Sequence, residues 1–69
     1  MKFHERLREL RAERKETQVQ VAQAIEITSR QYQGLEAGTS VPNFYNLCAL
    51  ADHLGVSLDY LAGRTGERT

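Results

Sequence analysis

The sequence predicts an all-α domain, a compact bundle of five short helices. Three observations carry this. Apolar residues recur at helical spacing, beginning with Phe3, Leu7 and Leu10. Thr17, Thr28, Asn43 and Ser57, all good helix caps, stand at the heads of the later apolar patterns, and Gly38, Gly55 and Gly63 stand at the ends of three of them. No stretch reads as a strand.

The first helix runs from Lys2 to about Lys15. Phe3, Leu7 and Leu10 form its apolar stripe, and charged residues three apart (Lys2–Glu5, Glu5–Arg8, Arg6–Glu9) fill the other face. Thr17 caps a second helix, Gln18 to about Ile25, whose buried stripe is Val21, Ala22 and Ile25. The pattern then breaks for Glu26-Ile27-Thr28. Thr28 caps a third helix, Ser29 to Ala37, with Ile27 stapling its start and Tyr32 and Leu35 facing inward. Gly38 is a left-handed stop, and a loop follows to Pro42, the chain's only proline.

Asn43 caps a fourth helix running to about Leu54, with Phe44, Leu47, Cys48, Ala51 and Leu54 at helical spacing. Ser57 caps a short fifth helix, Leu58 to Ala62, in which Leu58 and Leu61 face the core and Tyr60 faces out. Residues 1–63 thus read as one domain, and 64–69, which hold no apolar residue, as a disordered tail.

At 69 residues the chain has room to present a surface but little for a deep catalytic pocket. No nucleophile–base pair, glycine-rich phosphate loop or set of paired carboxylates suggests an enzyme. Cys48 is the single cysteine, His4 and His53 are isolated, and no Cys/His cluster calls for a metal or other cofactor. No apolar run is long enough to span a membrane, and a cytoplasmic location is expected. Nine basic residues balance nine acidic ones. Beyond residue 36 the only charges are Asp52, Asp59, Arg64, Glu67 and Arg68. Neutrality does not itself point to nucleic acid, but binding depends on where charges sit.

The second and third helices, joined by about three residues, form a helix-turn-helix unit, whose second helix can enter the major groove of DNA. The polar residues of the third helix suit that role. Ser29, Arg30, Gln31 and Gln33 lie away from Tyr32 and Leu35. Arginine can grip two acceptors on guanine, and glutamine the donor–acceptor pair on adenine.

The run Thr17-Gln18, Val21-Ala22, Ile25, Ile27-Thr28, Leu35-Glu36, Gly38, Pro42, Leu47, Leu50-Ala51 and Leu54-Gly55-Val56-Ser57-Leu58-Asp59, with Leu61, resembles the lambda repressor/Cro-type helix-turn-helix regulators, also called the xenobiotic response element family. The resemblance covers about residues 3–62. It implies a five-helix, lambda repressor-like fold and a homodimeric transcriptional regulator, a repressor by default, that reads a palindromic operator in double-stranded DNA. It implies base reading by Ser29, Arg30 and Gln33 and a phosphate contact by Gln18. By their own chemistry Thr28, Gln31, Thr39, Ser40 and Asn43 are further candidates for phosphate or backbone hydrogen bonds, beside the capping roles of Thr28 and Asn43. Arg11 and Glu36 match a pair that forms an internal salt bridge between the first and third helices. Tyr60 and Tyr45, aromatics expected to be exposed, are candidate dimer contacts, and Tyr45 is also a candidate for the DNA backbone.

The chain departs from the family pattern at four places. Glu26 stands where the turn usually has glycine, Glu16 replaces a common leucine, Gly34 removes a side chain often used for reading, and the loop 38–42 has no lysine or arginine. Gly34, the uncharged loop and the zero net charge favour a second reading: a protein-interaction module, or an antitoxin-type partner protein, with weak DNA binding.

Overall fold

The computed structural model describes residues 1–68 and contains five helices: α1 (Phe3–Glu13), α2 (Gln18–Ala24), α3 (Ser29–Ala37), α4 (Phe44–Leu54) and α5 (Leu58–Leu61). No strand occurs among the described residues. The all-α, five-helix expectation holds, and α3 has the predicted bounds.

Each cap works as its residue type dictates. Thr17 Oγ1 accepts from Gln20 N, Thr28 Oγ1 from Gln31 N, Asn43 Oδ1 from Asn46 N and Ser57 Oγ from Tyr60 N, which satisfies amides that a helix start leaves without partners. At two caps the bond is reciprocal. Gln20 Oε1 accepts from Thr17 N at 2.8 Å and Gln31 Oε1 from Thr28 N at 2.9 Å, completing capping boxes.

The first helix ends earlier than Lys15 because Lys15 is left-handed, with φ 57°. Its amide donates to Ala12 O and that of Glu16 donates to Arg11 O, the closure known as a Schellman motif. The same closure ends α2. Glu26 has φ 61°, Glu26 N donates to Gln23 O, and Ile27 N donates to Ala22 O. Residue 26 therefore does need the left-handed conformation that glycine would supply, and a glutamate fills it.

The core joins Leu7 and Leu10 of α1, Val21 and Ala22 of α2 with Ile25, Tyr32 and Leu35 of α3, Leu50, Ala51 and Leu54 of α4, and Tyr60 and Leu61 of α5. Phe3, Ile27, Leu47, Ala49 and Val56 pack on its margin. Several assignments of side differ from the sequence reading. Phe44, expected on the buried stripe, is 67% exposed because it opens α4 at the outer edge of the loop. Leu50, not anticipated, is completely buried. Leu58 is exposed, and Cys48 is only half-buried, in a shallow hollow with Ala51, Asp52, Val56, Ser57 and Leu58.

Tyr60 is the main correction. It is 6% exposed, not outward-facing. Arg6 stacks on its ring, with the guanidinium carbon 3.8 Å from the centroid, while Arg6 Nη1 donates to Tyr60 O at 2.8 Å. A ring so covered within one chain has no face to give a second protomer. Arg6 itself, 8% exposed, leaves the charged face predicted for α1 and joins the interior.

Residues 64–69 were expected to form a disordered tail. In the structure residues 64–68 lie back on the domain: Ser57 N donates to Arg68 O at 2.8 Å, and Arg68 Nη2 pairs with Glu13 Oε2 at 2.8 Å. Thr69 lies outside the described residues. Glu16, in place of a core leucine, accepts from Arg14 Nε and meets His53 Nε2 at 2.8 Å, linking the end of α1 to α4.

Candidate nucleic-acid interface

The helix-turn-helix geometry follows from the turn at Glu26. Ile27 is folded back under α3, and α2 and α3 pack on each other through Val21, Ala22, Ile25, Tyr32 and Leu35. The buried side of α3 is Tyr32, Leu35 and Glu36, which leaves Arg30, Gln31 and Gln33 exposed and Ser29 half-exposed at its first turn. Neither Arg30 nor Gln33 has a side-chain partner among the described residues. Arg30 is the only lysine or arginine between Glu16 and Gly63, so the exposed face of α3 carries one cation and no anion.

Thr28, Gln31 and Asn43 are partly engaged. The cap bonds occupy Thr28 Oγ1 as acceptor, Gln31 Oε1 and Asn43 Oδ1, and leave the Thr28 hydroxyl proton and both amide NH2 groups for another acceptor. Gln31, Ser40 and Asn43 line one shallow hollow with Ile27, Leu35, Val41 and Pro42. The loop therefore does meet the third helix there.

Gly34 explains how the loop gets so close. Gly38 turns the chain with φ 81°, and Thr39 N and Ser40 N both donate to Gly34 O, at 3.1 and 3.2 Å. Thr39 Oγ1 bonds the same carbonyl at 3.4 Å. A Cβ on residue 34 would lie 2.7 Å from Ser40 Oγ. The sequence shows only a missing reading side chain here. The structure shows a seat for the loop.

Gln18 is held against the buried carboxylate of Glu36. The predicted Arg11–Glu36 pair is present as a two-pronged fork, Nε to Oε2 at 2.5 Å and Nη2 to Oε1 at 3.1 Å. Tyr32 OH donates to Oε2 at 2.5 Å and Gln18 Nε2 to Oε1 at 3.1 Å. Burial pushes the Glu36 carboxyl up, but hydrogen bonds from Arg11, then Tyr32 and Gln18, outweigh it and hold its pKa below the ordinary 4.5. The phenol of Tyr32 is raised, first by burial and then by Glu36. The Gln18 bond went unseen in the sequence because it joins residues 18 apart in the chain.

Beside the hollow lies an apolar patch. Val41 is 85% exposed and Tyr45 81%, and the rings of Phe44 and Tyr45 meet edge to face with centroids 6.0 Å apart. Tyr45 is thus the exposed aromatic expected from the sequence.

Comparison with known proteins places these features in company. The family model described as Helix-turn-helix matches residues 7–61. The chain is 41% identical over 64 residues to the cryptic phage CTXphi transcriptional repressor RstR of Vibrio cholerae serotype O1, covering 93% of this chain and 57% of the repressor. It is 40% identical over 65 residues to an uncharacterized HTH-type transcriptional regulator, YobD, of Bacillus subtilis strain 168, covering 94% of this chain and 58% of YobD. The chain thus spans little more than half the length of these curated relatives. Among solved structures, the P22 c2 repressor in complex with synthetic operator 9T superimposes with a TM-score of 0.89 at 28% identity, covering 94% of this chain and 98% of that one. A transcriptional regulator from Listeria innocua gives 0.87 at 27% identity, covering 96% and 62%.

Proposed function

Because the chain belongs to the helix-turn-helix family, with repressors among its relatives and structural neighbours, we propose that it represses transcription by binding a palindromic operator as a homodimer, with α3 in the major groove. The observation that carries this is the outer face of α3. Ser29, Arg30 and Gln33 project from a helix whose other side is locked by Tyr32, Leu35 and Glu36, and Arg30 and Gln33 have no competing partner among the described residues. Rigid presentation of donors and acceptors is what base reading requires.

Gln18, Thr28, Gln31, Thr39, Ser40 and Asn43 serve phosphate oxygens and fix register, mostly by neutral hydrogen bonds. With Arg30 the one basic residue in this part of the chain, binding should depend only shallowly on salt; a slope equivalent to about six or more released counterions would contradict the assignment. The helix-turn-helix supports the dimer: the described residues present one such unit, α2–α3, whereas the two halves of a palindrome offer major-groove faces about 34 Å apart, one for each copy. Tyr45 and its apolar neighbours are the dimer contact in this reading.

Selection from a randomised duplex library, with wild type beside Arg30→Ala, tests the proposal. Wild type should enrich a palindrome, and Arg30→Ala should relax preference at one base per half-site at a cost of about 1–3 kcal/mol. No enrichment at low salt would overturn operator reading. The reading as a protein-interaction module or antitoxin-type partner would then lead, because Val41, Phe44 and Tyr45 expose an apolar patch in a stretch with no charged residue from Ala37 to Ala51. No helix among the described residues is long and apolar enough to cross a membrane.

A further inference from the structure

The carboxylate of Glu36 is 2% exposed and accepts four hydrogen bonds, two from Arg11 on α1, one from Tyr32 on α3 and one from Gln18 on α2. An ionised carboxylate can only accept, so the group of Gln18 turned toward it must be the amide NH2 and not the carbonyl. The orientation of this glutamine, commonly a choice between two near-identical shapes, is therefore fixed by chemistry. One Nε2–H is engaged inward. The second Nε2–H and the carbonyl oxygen are what a half-exposed Gln18 has left to offer.

We propose that Glu36 is a positioning residue for DNA binding: from within the core it holds the Gln18 side chain in the pose in which Gln18 meets a phosphate. This rests on the operator-binding reading. Two further features support it. Arg11 neutralises Glu36 through its fork, so an approaching phosphate meets no bare carboxylate behind Gln18. Arg8 Nη2 also reaches Glu36 O at 3.4 Å, so the same residue is held to α1 by its backbone as well as by its side chain. A phosphate donor on a long glutamine side chain otherwise loses rotamer freedom on binding, and the tether removes that loss beforehand.

The test compares wild type, Gln18→Ala, Glu36→Gln, the double variant and Arg30→Ala by fluorescence anisotropy on the selected duplex. Each of the first two changes should weaken binding by roughly 10-fold. The double variant should be no weaker than either alone, because both remove the same contact. Losses that multiply would overturn the inference. If Gln18→Ala has no effect while Arg30→Ala weakens binding, the inference fails and the operator reading stands. If Glu36→Gln does not fold, side-chain amide NMR relaxation on the free wild-type protein decides. The Gln18 NH2 should be ordered, unlike that of exposed Gln23 on the same helix, and equal mobility of the two would overturn the tether.

Discussion

The ring of Tyr60 is roofed by the guanidinium of Arg6, 3.8 Å from its centroid, and Arg6 also bonds the carbonyl of the same tyrosine. Tyr60 is therefore a fold residue, and its removal should be felt by a single chain. Tyr60→Ala should lower unfolding free energy by about 3–5 kcal/mol, a large part of what a domain this size has. Urea unfolding followed by circular dichroism at two protein concentrations checks this. The loss should be the same at both. A dimer contact would instead leave the isolated chain as stable as before.

Replacing Gly34 by alanine brings two effects into conflict. Alanine in a helix interior is worth about 1 kcal/mol over glycine. Its Cβ, however, would crowd Ser40 Oγ, 2.7 Å away. Gly34→Ala should therefore gain less than about 1 kcal/mol, and adding Ser40→Ala should recover the rest. Urea midpoints of the single and double variants give the answer. An undiminished gain in the single variant would show that the loop is not seated on residue 34.

Glu26, at φ 61°, invites the opposite exchange. A left-handed side-chain-bearing residue costs about 1–2 kcal/mol, and glycine returns part of this through its freer unfolded chain. Glu26→Gly should raise stability by about 0.5–1 kcal/mol. Thermal unfolding would show a higher midpoint, whereas an unchanged or lower one would mean the turn holds glutamate without strain.

Acid should unfold the domain through its buried carboxylate. The pKa of Glu36 is below 4.5 when folded: burial works against this, but the bonds from Arg11, Tyr32 and Gln18 prevail. A lowered folded pKa contributes stability that is complete above the unfolded value and is lost as pH falls through the folded one. The loss should therefore start below about pH 4.5. Glu16, whose pKa is lowered by Arg14 and His53 against the effect of burial, adds to the same limb. In Glu36→Gln the decline from pH 5 to 3 should be shallower than in wild type; an equally steep decline would assign it to other carboxylates.

Much of the fold is legible in the chain because its punctuation is local. Thr17, Thr28, Asn43 and Ser57 cap neighbours three residues on, and Gly38 and Gly55 stop helices with their own φ. What the sequence leaves open is set by neighbours distant in sequence. Periodicity makes Phe44 and Leu47 equivalent, but only one lies under another element. Tyr60 reads as an outward residue until Arg6, 54 residues earlier, is laid over it. At the site, the exposed face of α3 was legible from spacing, and the Arg11–Glu36 pair from resemblance. The seating of the loop on Gly34 and the Gln18–Glu36 bond were not, since both depend on which backbones come close.

The saturated carboxylate of Glu36 also bears on modularity. It sits on α3, yet two of its four donors belong to Arg11 on α1. Excised as an autonomous cassette, or grafted onto a foreign scaffold, the α2–α3 pair would carry into its new host a buried anion stripped of its counterion. Even the three-helix set from α1 to α3 would leave behind Leu50, Ala51, Leu54, Tyr60 and Leu61 of the shared core, so recognition residues are better exchanged singly on the existing scaffold than transplanted with their helices.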